Sequence, residues 1–190
     1  MSIEFKGNKS TITPEGVFII GTYDENGVPN AMNAAWGMQS DMGEITLMLG
    51  KHKTTENFEK TGAFTVAFGT ADTVLISDYF GVETGAKVNK IEKAGCHTHR
   101  SAHVNAPIIE EFPVVMECEL AEVTSTDSFY AIVGRIVNTA AEETVLSGNG
   151  KVDPAKLDAL IFDQFQHGYY VSGERVGKAW NAGAGLMKKP

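Results

Sequence analysis

The sequence predicts a mainly β chain, a closed antiparallel barrel carrying short peripheral helices. Three observations point there. Apolar residues alternate with period two in Glu44–Leu49 (Ile45, Leu47, Leu49) and again in Ala63–Phe68 (Phe64, Val66, Phe68). An Asn26-Gly27 turn joins two β-rich runs. Helical patterns are short and never alternate with strands in the manner of parallel βαβ units.

Taken in order, Gly16–Tyr23 is the first strand, rich in β-branched and aromatic residues (Val17, Phe18, Ile19, Ile20, Thr22, Tyr23). Val28–Trp36 returns from the turn, with Pro29 near its start. Between the two alternating strands, Lys51–Gly62 reads as a helix. Thr54 is the expected N-cap, Glu56 suits the positive first turn, and Gly62 suits the C-terminal stop. A weaker helical pattern covers Asp72–Tyr79, and Gly81–Ile109 reads as irregular. Pro113–Val123 is a long strand with Val114, Met116, Cys118 and Leu120 on one face and Glu117, Glu119 and Glu122 toward solvent. Phe129–Thr139 is its successor. Asp153-Pro154 pairs an N-cap with proline at the first helical position, predicting a helix to about Leu160. Tyr169–Trp180 holds a short strand pair or a turn.

Composition narrows the class. The 190 residues are 43% hydrophobic and 21% charged, an ordinary globular balance, and read as a single domain over 1–190. A formal charge of -8 disfavours nucleic acid and anionic membranes as partners. Any anionic ligand therefore needs a local basic feature. Cys96 and Cys118 are too few for a disulfide scaffold, so reduced thiols and a cytoplasmic location are expected. Met1–Ser10 is polar, and no run of about 18 apolar residues occurs, so no membrane segment is expected.

Lys51-His52-Lys53-Thr54-Thr55-Glu56-Asn57 is the most informative stretch. It places Lys51, His52 and Lys53 at a helix start, where free N–H groups and the helix dipole favour an anion. Thr54, Thr55 and Asn57 add hydrogen-bonding groups. A terminal phosphate suits the arrangement; an ordinary capped, solvated loop is the competing reading. In Asn30-Ala31-Met32-Asn33-Ala34-Ala35-Trp36, small residues precede a large aromatic, so a planar ring could lie against the backbone while Asn30 and Asn33 read its polar edge. The competing reading makes Trp36 a core residue. In Asp78–Lys90, Thr84-Gly85 followed by lysines forms a second local positive feature or a plain solvated loop. Cys96, His97, His99 and His103 match no closed zinc spacing, so no metal is expected. No nucleophile elbow and no dinucleotide-binding glycine fingerprint occur.

The strand ending Gly21-Thr22-Tyr23-Asp24, the Asn26-Gly27 turn, Pro29-Asn30, Ala34-Ala35-Trp36, Lys53–Asn57, Asp78-Tyr79-Phe80-Gly81, Thr84-Gly85 with Lys90, Ala106-Pro107, Glu111-Phe112-Pro113, Glu117-Cys118, Gly168-Tyr169-Tyr170 and Gly177-Lys178-Ala179 run in order along nearly the whole chain. Together they resemble the flavin reductase-like, FMN-binding split-barrel family, most closely its flavoredoxin branch. The resemblance implies a closed antiparallel Greek-key barrel and FMN bound near a homodimer interface. It implies Asn30 and Trp36, with Asn33, Ala34 and Ala35 beside them, at the flavin ring. It implies Lys53, Thr54, Thr55 and Asn57, with Lys51 adjacent, around the phosphate. Thr84, Gly85 and Lys90 would support the ring or ribityl chain, and Phe162 would wall the pocket. Two positions depart from the pattern. Phe129 and Tyr130 stand where a flavin-contacting His is expected, and Trp180 stands where the branch carries Phe.

No side chain is singled out as catalytic, because the flavin carries the redox chemistry. Three functions follow: an electron carrier exchanging with a redox protein partner, an NAD(P)H-dependent flavin reductase, and a non-catalytic FMN-binding protein.

Overall fold

The computed structural model describes residues 12–187; the polar stretch Met1–Ser10 lies outside the described residues. A two-residue strand, β1 (Glu15–Gly16), leads into β2 (Phe18–Tyr23), which turns through Asp24–Gly27 into β3 (Pro29–Ala34). Gly27 takes φ +76°, the left-handed value that an Asn-Gly turn needs. The expected strand to Trp36 stops at Ala34. Ala35 and Trp36 form a link in which the Gly37 N–H donates to the Ala35 carbonyl at 3.1 Å. The chain then enters β4 (Gly37–Asp41), a strand the sequence reading missed, and β5 (Glu44–Gly50).

Helix α1 (Lys53–Thr61) follows, and its N-cap is His52, not Thr54. The Thr55 hydroxyl accepts from the His52 N–H at 2.8 Å and so fixes the helix start two residues earlier than expected. Gly62 ends the helix at φ +66°, as its sequence position predicts. After β6 (Ala63–Phe68), a 3-10 turn over Ala71–Thr73 runs into α2 (Val74–Val82), so the second helix ends three residues later than expected. The segment 81–109, expected to be irregular, contains α3 (Lys90–Lys93) and the hairpin strands β7 (Thr98–Arg100) and β8 (Pro107–Ile109). The long strands are β9 (Val114–Ser125) and β10 (Phe129–Ala141). Helix α4 (Pro154–Leu157) is capped by Asp153, whose carboxylate accepts from the Ala155 N–H. It stops before Leu160 because Asp158 turns left-handed. Strands β11 (Leu160–Asp163) and β12 (Gly168–Val171) pair near the end and join β1; of the span Tyr169–Trp180, expected to hold a strand pair or a turn, only 169–171 is strand, and a turn begins at 179.

Seven antiparallel strands pair in the order β3-β2-β6-β9-β10-β5-β4. Phe18, Ile20, Met32, Leu47, Phe64, Cys118 and Ile132 come from six of these strands yet pack in one cluster with Phe58 of α1. The sheet therefore curls around a single core. It does not close: β3 and β4 are its two edges, and no ladder joins them among the described residues. The Ala35–Trp36 link separates these edges in sequence, so the closed barrel expected above is corrected to an open, curled sheet.

A second cluster lies on the outer face, where Ile19, Ala31 and Ala67 meet Phe80, Ile91, Ile109 and Phe112. This packing holds α2 and α3 against β3. It is the feature that positions the site.

Glu117 departs from its sequence reading. Expected toward solvent, it is 2% exposed. Its carboxylate accepts from the Ser101 hydroxyl and, at 2.5 Å, from the Asn138 amide. The loop after β7 covers that face of β9, and these donors make the burial tolerable.

Candidate functional site

Small side chains on β3 and the packing of α2 beneath it leave a cavity of about 430 Å3 beside the N-terminal turn of α1. That volume falls within the about 300–1,000 Å3 typical of ligand clefts. Its walls come from β3 (Asn30, Met32, Asn33), the start of α1 (His52, Lys53, Thr54) and the segment from Phe80 to Lys90.

Asn30 and Thr54 are buried, and the Asn30 amide donates to the Thr54 hydroxyl at 2.8 Å. Asn33 donates to the Ser77 carbonyl at 2.9 Å, fastening β3 to α2. In α1 the first intrahelical bond runs from the Glu56 N–H to the His52 carbonyl. The N–H groups of Lys53, Thr54 and Thr55 precede it and carry the partial positive charge of the helix start.

Charge at the cavity opposes the charge of the chain. Lys53, Lys87 and Lys90 line it against one carboxylate, Glu83. Glu83 is held ionised, first by the Thr84 N–H at 2.9 Å and then by Lys93. Lys90 is 4% exposed, and its ammonium donates to the Phe80 carbonyl at 2.8 Å. Burial pulls its pKa down to about 8, against a smaller opposing pull from Glu83. A second cleft, of about 280 Å3, has the opposite character, being lined by Asp72, Glu111, Glu142 and Asp158 against Lys156 alone. The basic character thus belongs to the first cavity and to the adjoining cleft that shares Lys53 and Lys87 with it.

Glycine gives that cavity its shape. A Cβ on Gly85 would run into Asn30 Oδ1, while one on Gly81 would meet Asn33 Cβ at 3.4 Å.

Of the residues singled out from sequence, the cavity brings together Asn30, Asn33, Lys53, Thr54, Thr84, Gly85 and Lys90. Others lie elsewhere within one chain. Ala34 is in the core of the curled sheet. Thr55 caps α1 through its hydroxyl. Asn57 is buried and donates to the Thr22 hydroxyl at 3.0 Å. Ala35 and Trp36 lie in the link after β3. Trp36 is 45% exposed and packs on Phe129 with ring centres 5.3 Å apart, so it is not a core residue. Lys51 sits 5.7 Å from the ring of Tyr130. The two positions where a His was expected thus serve as packing partners for Trp36 and Lys51. Phe162 packs on Tyr169 at 5.8 Å. Tyr169 in turn donates to Asp78 at 3.0 Å, and burial pushes its pKa up to about 12.

The cavity also includes His52, expected with the lysines at the helix start, and Met32, Phe80, Gly81, Val82, Glu83 and Lys87, for which no individual role was expected. His52 and Lys87 lie inside the basic stretches already noted, so the signal was present. Met32 alternates with Asn33 on a strand and gave none. His97 and His99 are engaged by Glu111 and Glu110, each at 3.0 Å. Burial pushes the thiols of Cys96 and Cys118 up to about 12, which makes both poor nucleophiles.

The chain is similar to flavoredoxin of Desulfovibrio vulgaris (Miyazaki F) at 30% identity and a TM-score of 0.90, covering 96% of this chain and all of that one. It is similar to a flavoredoxin from Methanosarcina acetivorans at 27% identity and a TM-score of 0.89, covering 98% of this chain and 100% of that one. An FMN-binding protein from Thermus thermophilus shares the fold, at 20% identity and a TM-score of 0.76 over 94% of this chain and 99% of that one. The flavin reductase like domain matches residues 10–163, and so the chain belongs to that family.

Proposed function

We propose that this chain is a flavoredoxin-type protein that binds FMN in the basic cavity and transfers electrons through it. The carrying observation is the concentration of Lys53, Lys87 and Lys90 around a helix start in a chain of net charge -8. The residues present fit the cofactor. The donors lining the cavity are those an anionic, hydrogen-bonding ligand needs, and Gly81 and Gly85 let the 80–90 segment pack close against Asn33 and Asn30. Lys53, the Thr54 hydroxyl and the first-turn N–H groups of α1 would hold the phosphate. Asn30, Asn33, Thr84 and Lys90 would hold the remaining polar groups. When bound, FMN supplies hydride and single-electron chemistry. The chain's own residues bind it, orient it and set the charge around it.

The flavoredoxin relatives support an electron-carrier role over a storage role. A second reading, NAD(P)H-dependent flavin reduction, draws on family membership and on the cavity's access to solvent. Anaerobic addition of NADH or NADPH separates the two: rapid bleaching of bound flavin supports the reductase. Trp36, Lys51 and Phe162 lie away from the cavity within one chain, and we assign them to a site completed in a homodimer. The unpaired cysteines fit a reducing compartment such as the cytoplasm.

The test of the phosphate assignment compares FMN with riboflavin. Lys53→Ala is expected to weaken FMN about 10–100-fold, the loss of one charge-assisted contact, with riboflavin affinity held within about twofold. Equal losses for both ligands would reject it. A purified protein that takes up no FMN would reject the function altogether.

A further inference from the structure

His97 and His99 share one face of the β7–β8 hairpin. His97 precedes β7 by one residue, and its carbonyl accepts from the Glu110 N–H at 3.0 Å, so the ladder continues through it. Beyond that bond, Thr98 pairs with Ile109 and His99 with Ile108. The two histidines therefore stand two residues apart on extended chain, about 7 Å between Cα atoms, with both side chains on the same face.

Each ring is held at one nitrogen only. His97 Nδ1 lies 3.0 Å from Glu111 Oε1, and His99 Nδ1 lies 3.0 Å from Glu110 Oε1. An ionised carboxylate only accepts, so each Nδ1 carries a hydrogen. In the neutral ring the lone pair is then left on Nε2. Neither Nε2 has a hydrogen-bond partner among the described residues, and the two side chains are 77% and 57% exposed.

A carboxylate at one ring nitrogen and a free lone pair at the other is the arrangement of a metal-ligating histidine. The carboxylate fixes the tautomer and makes the ligand nitrogen more basic. Here the arrangement occurs twice on one face. Its supports are built into the fold. Glu111 Oε1 also accepts from the His97 N–H at 2.8 Å, and Ile109 anchors the hairpin in the outer-face cluster with Phe80 and Ile91.

The spacing of these histidines fits no closed four-ligand site, and among the described residues no group of three or more His, Cys, Asp or Glu gathers as one. An open site needs fewer protein ligands, since water fills the remaining positions.

We infer that His97 and His99 chelate a divalent transition-metal ion of the zinc class through their Nε2 atoms, with Glu111 and Glu110 orienting the rings. Imidazole nitrogen suits such ions, whereas Mg2+ and Ca2+ seek oxygen. No residue from 97 to 111 lines the basic cavity, so this site is separate from the proposed flavin site and does not rest on it.

The test titrates the untagged full chain, with its cofactor, with Zn2+ alone at pH 7.5 in a calorimeter. Wild type is expected to bind one ion per chain. His97→Gln and His99→Gln are each expected to weaken binding more than about 100-fold, and Glu110→Ala about 10–100-fold, the range for an outer partner of a metal ligand. His167→Gln, in the turn between β11 and β12, is the control for surface histidines and is expected to leave the affinity within about twofold. Nitrogen-15 spectra of the histidine rings read the geometry. Zn2+ is expected to shift Nε2 of His97 and His99 while both Nδ1 atoms keep their hydrogens.

A wild-type chain that binds no Zn2+ would overturn the inference and leave the two pairs as plain surface contacts. So would an equal loss in His167→Gln and His97→Gln, which would mean adventitious binding. Coordination at Nδ1 would overturn it as well, because the carboxylates would then be displaced rather than orienting the rings.

Discussion

The side-chain amide of Asn30 donates to the hydroxyl of Thr54 across 2.8 Å, joining the edge strand β3 to the first turn of α1. Both residues are buried and both line the basic cavity. One bond therefore sets the distance between the two walls of the site.

Removing one partner of that bond leaves the other buried without a mate. Asn30→Ala is expected to cost about 1–3 kcal/mol of folding stability, and Thr54→Val a similar amount. The double variant is expected to cost less than the sum, since no polar group is then orphaned. Urea unfolding of the four proteins measures the coupling. Strict additivity would mean that the bond does not hold the walls together.

Gly85 abuts Asn30, which cannot yield freely because Thr54 holds it. Gly85→Ala is expected to displace Asn30 and lower FMN affinity at least about tenfold, the effect of losing one well-placed hydrogen bond. Gly81→Ala is the control, since its Cβ would meet only Asn33 at 3.4 Å. Flavin fluorescence titration reads both. Equal affinity in the two variants would remove Asn30 from the binding wall.

Burial lowers the pKa of Lys90 from 10.5 to about 8 in the folded chain. Between those values the unfolded chain holds the extra proton, so this residue makes stability rise with pH from about 8 to about 10.5. Below pH 8 both states are protonated, and the cost of burying the charge is fully present. Lys90→Met is expected to abolish that part of the pH slope, measured as the wild-type minus variant difference in urea midpoint. Anion affinity runs the other way: FMN binding to wild type is expected to weaken as pH rises through about 8 and the charge is lost. A variant with the same binding profile as wild type would show that Lys90 does not face the ligand.

Glu117 accepts from Ser101 and Asn138 beneath the loop that follows β7. Glu117→Ala leaves both donors without their acceptor, and bonds to a charged group are worth about 1.5–3 kcal/mol each. The expected outcome is a fall in urea midpoint together with faster hydrogen exchange in 101–106. Unchanged exchange there would mean that other contacts pin the loop.

Sequence alone determined the long alternating strands, because their signal is local, but not the short strands β4, β7 and β8. Ile45, Leu47 and Leu49 alternate, and that alternation is the physics of a half-buried strand. The Asn26-Gly27 turn and the Gly62 stop were legible for the same reason, since each is a backbone conformation that glycine takes without strain. The basic stretch at Lys51–Asn57 marked one wall of the site. Only the tertiary structure decided what faced it. The sheet curls far enough to share one core yet leaves β3 and β4 as edges, and nothing local in 34–37 encodes that gap. Burial of Glu117 depends on a loop more than ten residues away in sequence covering its strand. Lys90 and Thr54 line the same cavity because α2 and α3 pack on the outer face of β3 through Phe80 and Ile91. Periodicity reports which way a side chain points, whereas long-range packing decides what it meets, and the site is made of such meetings.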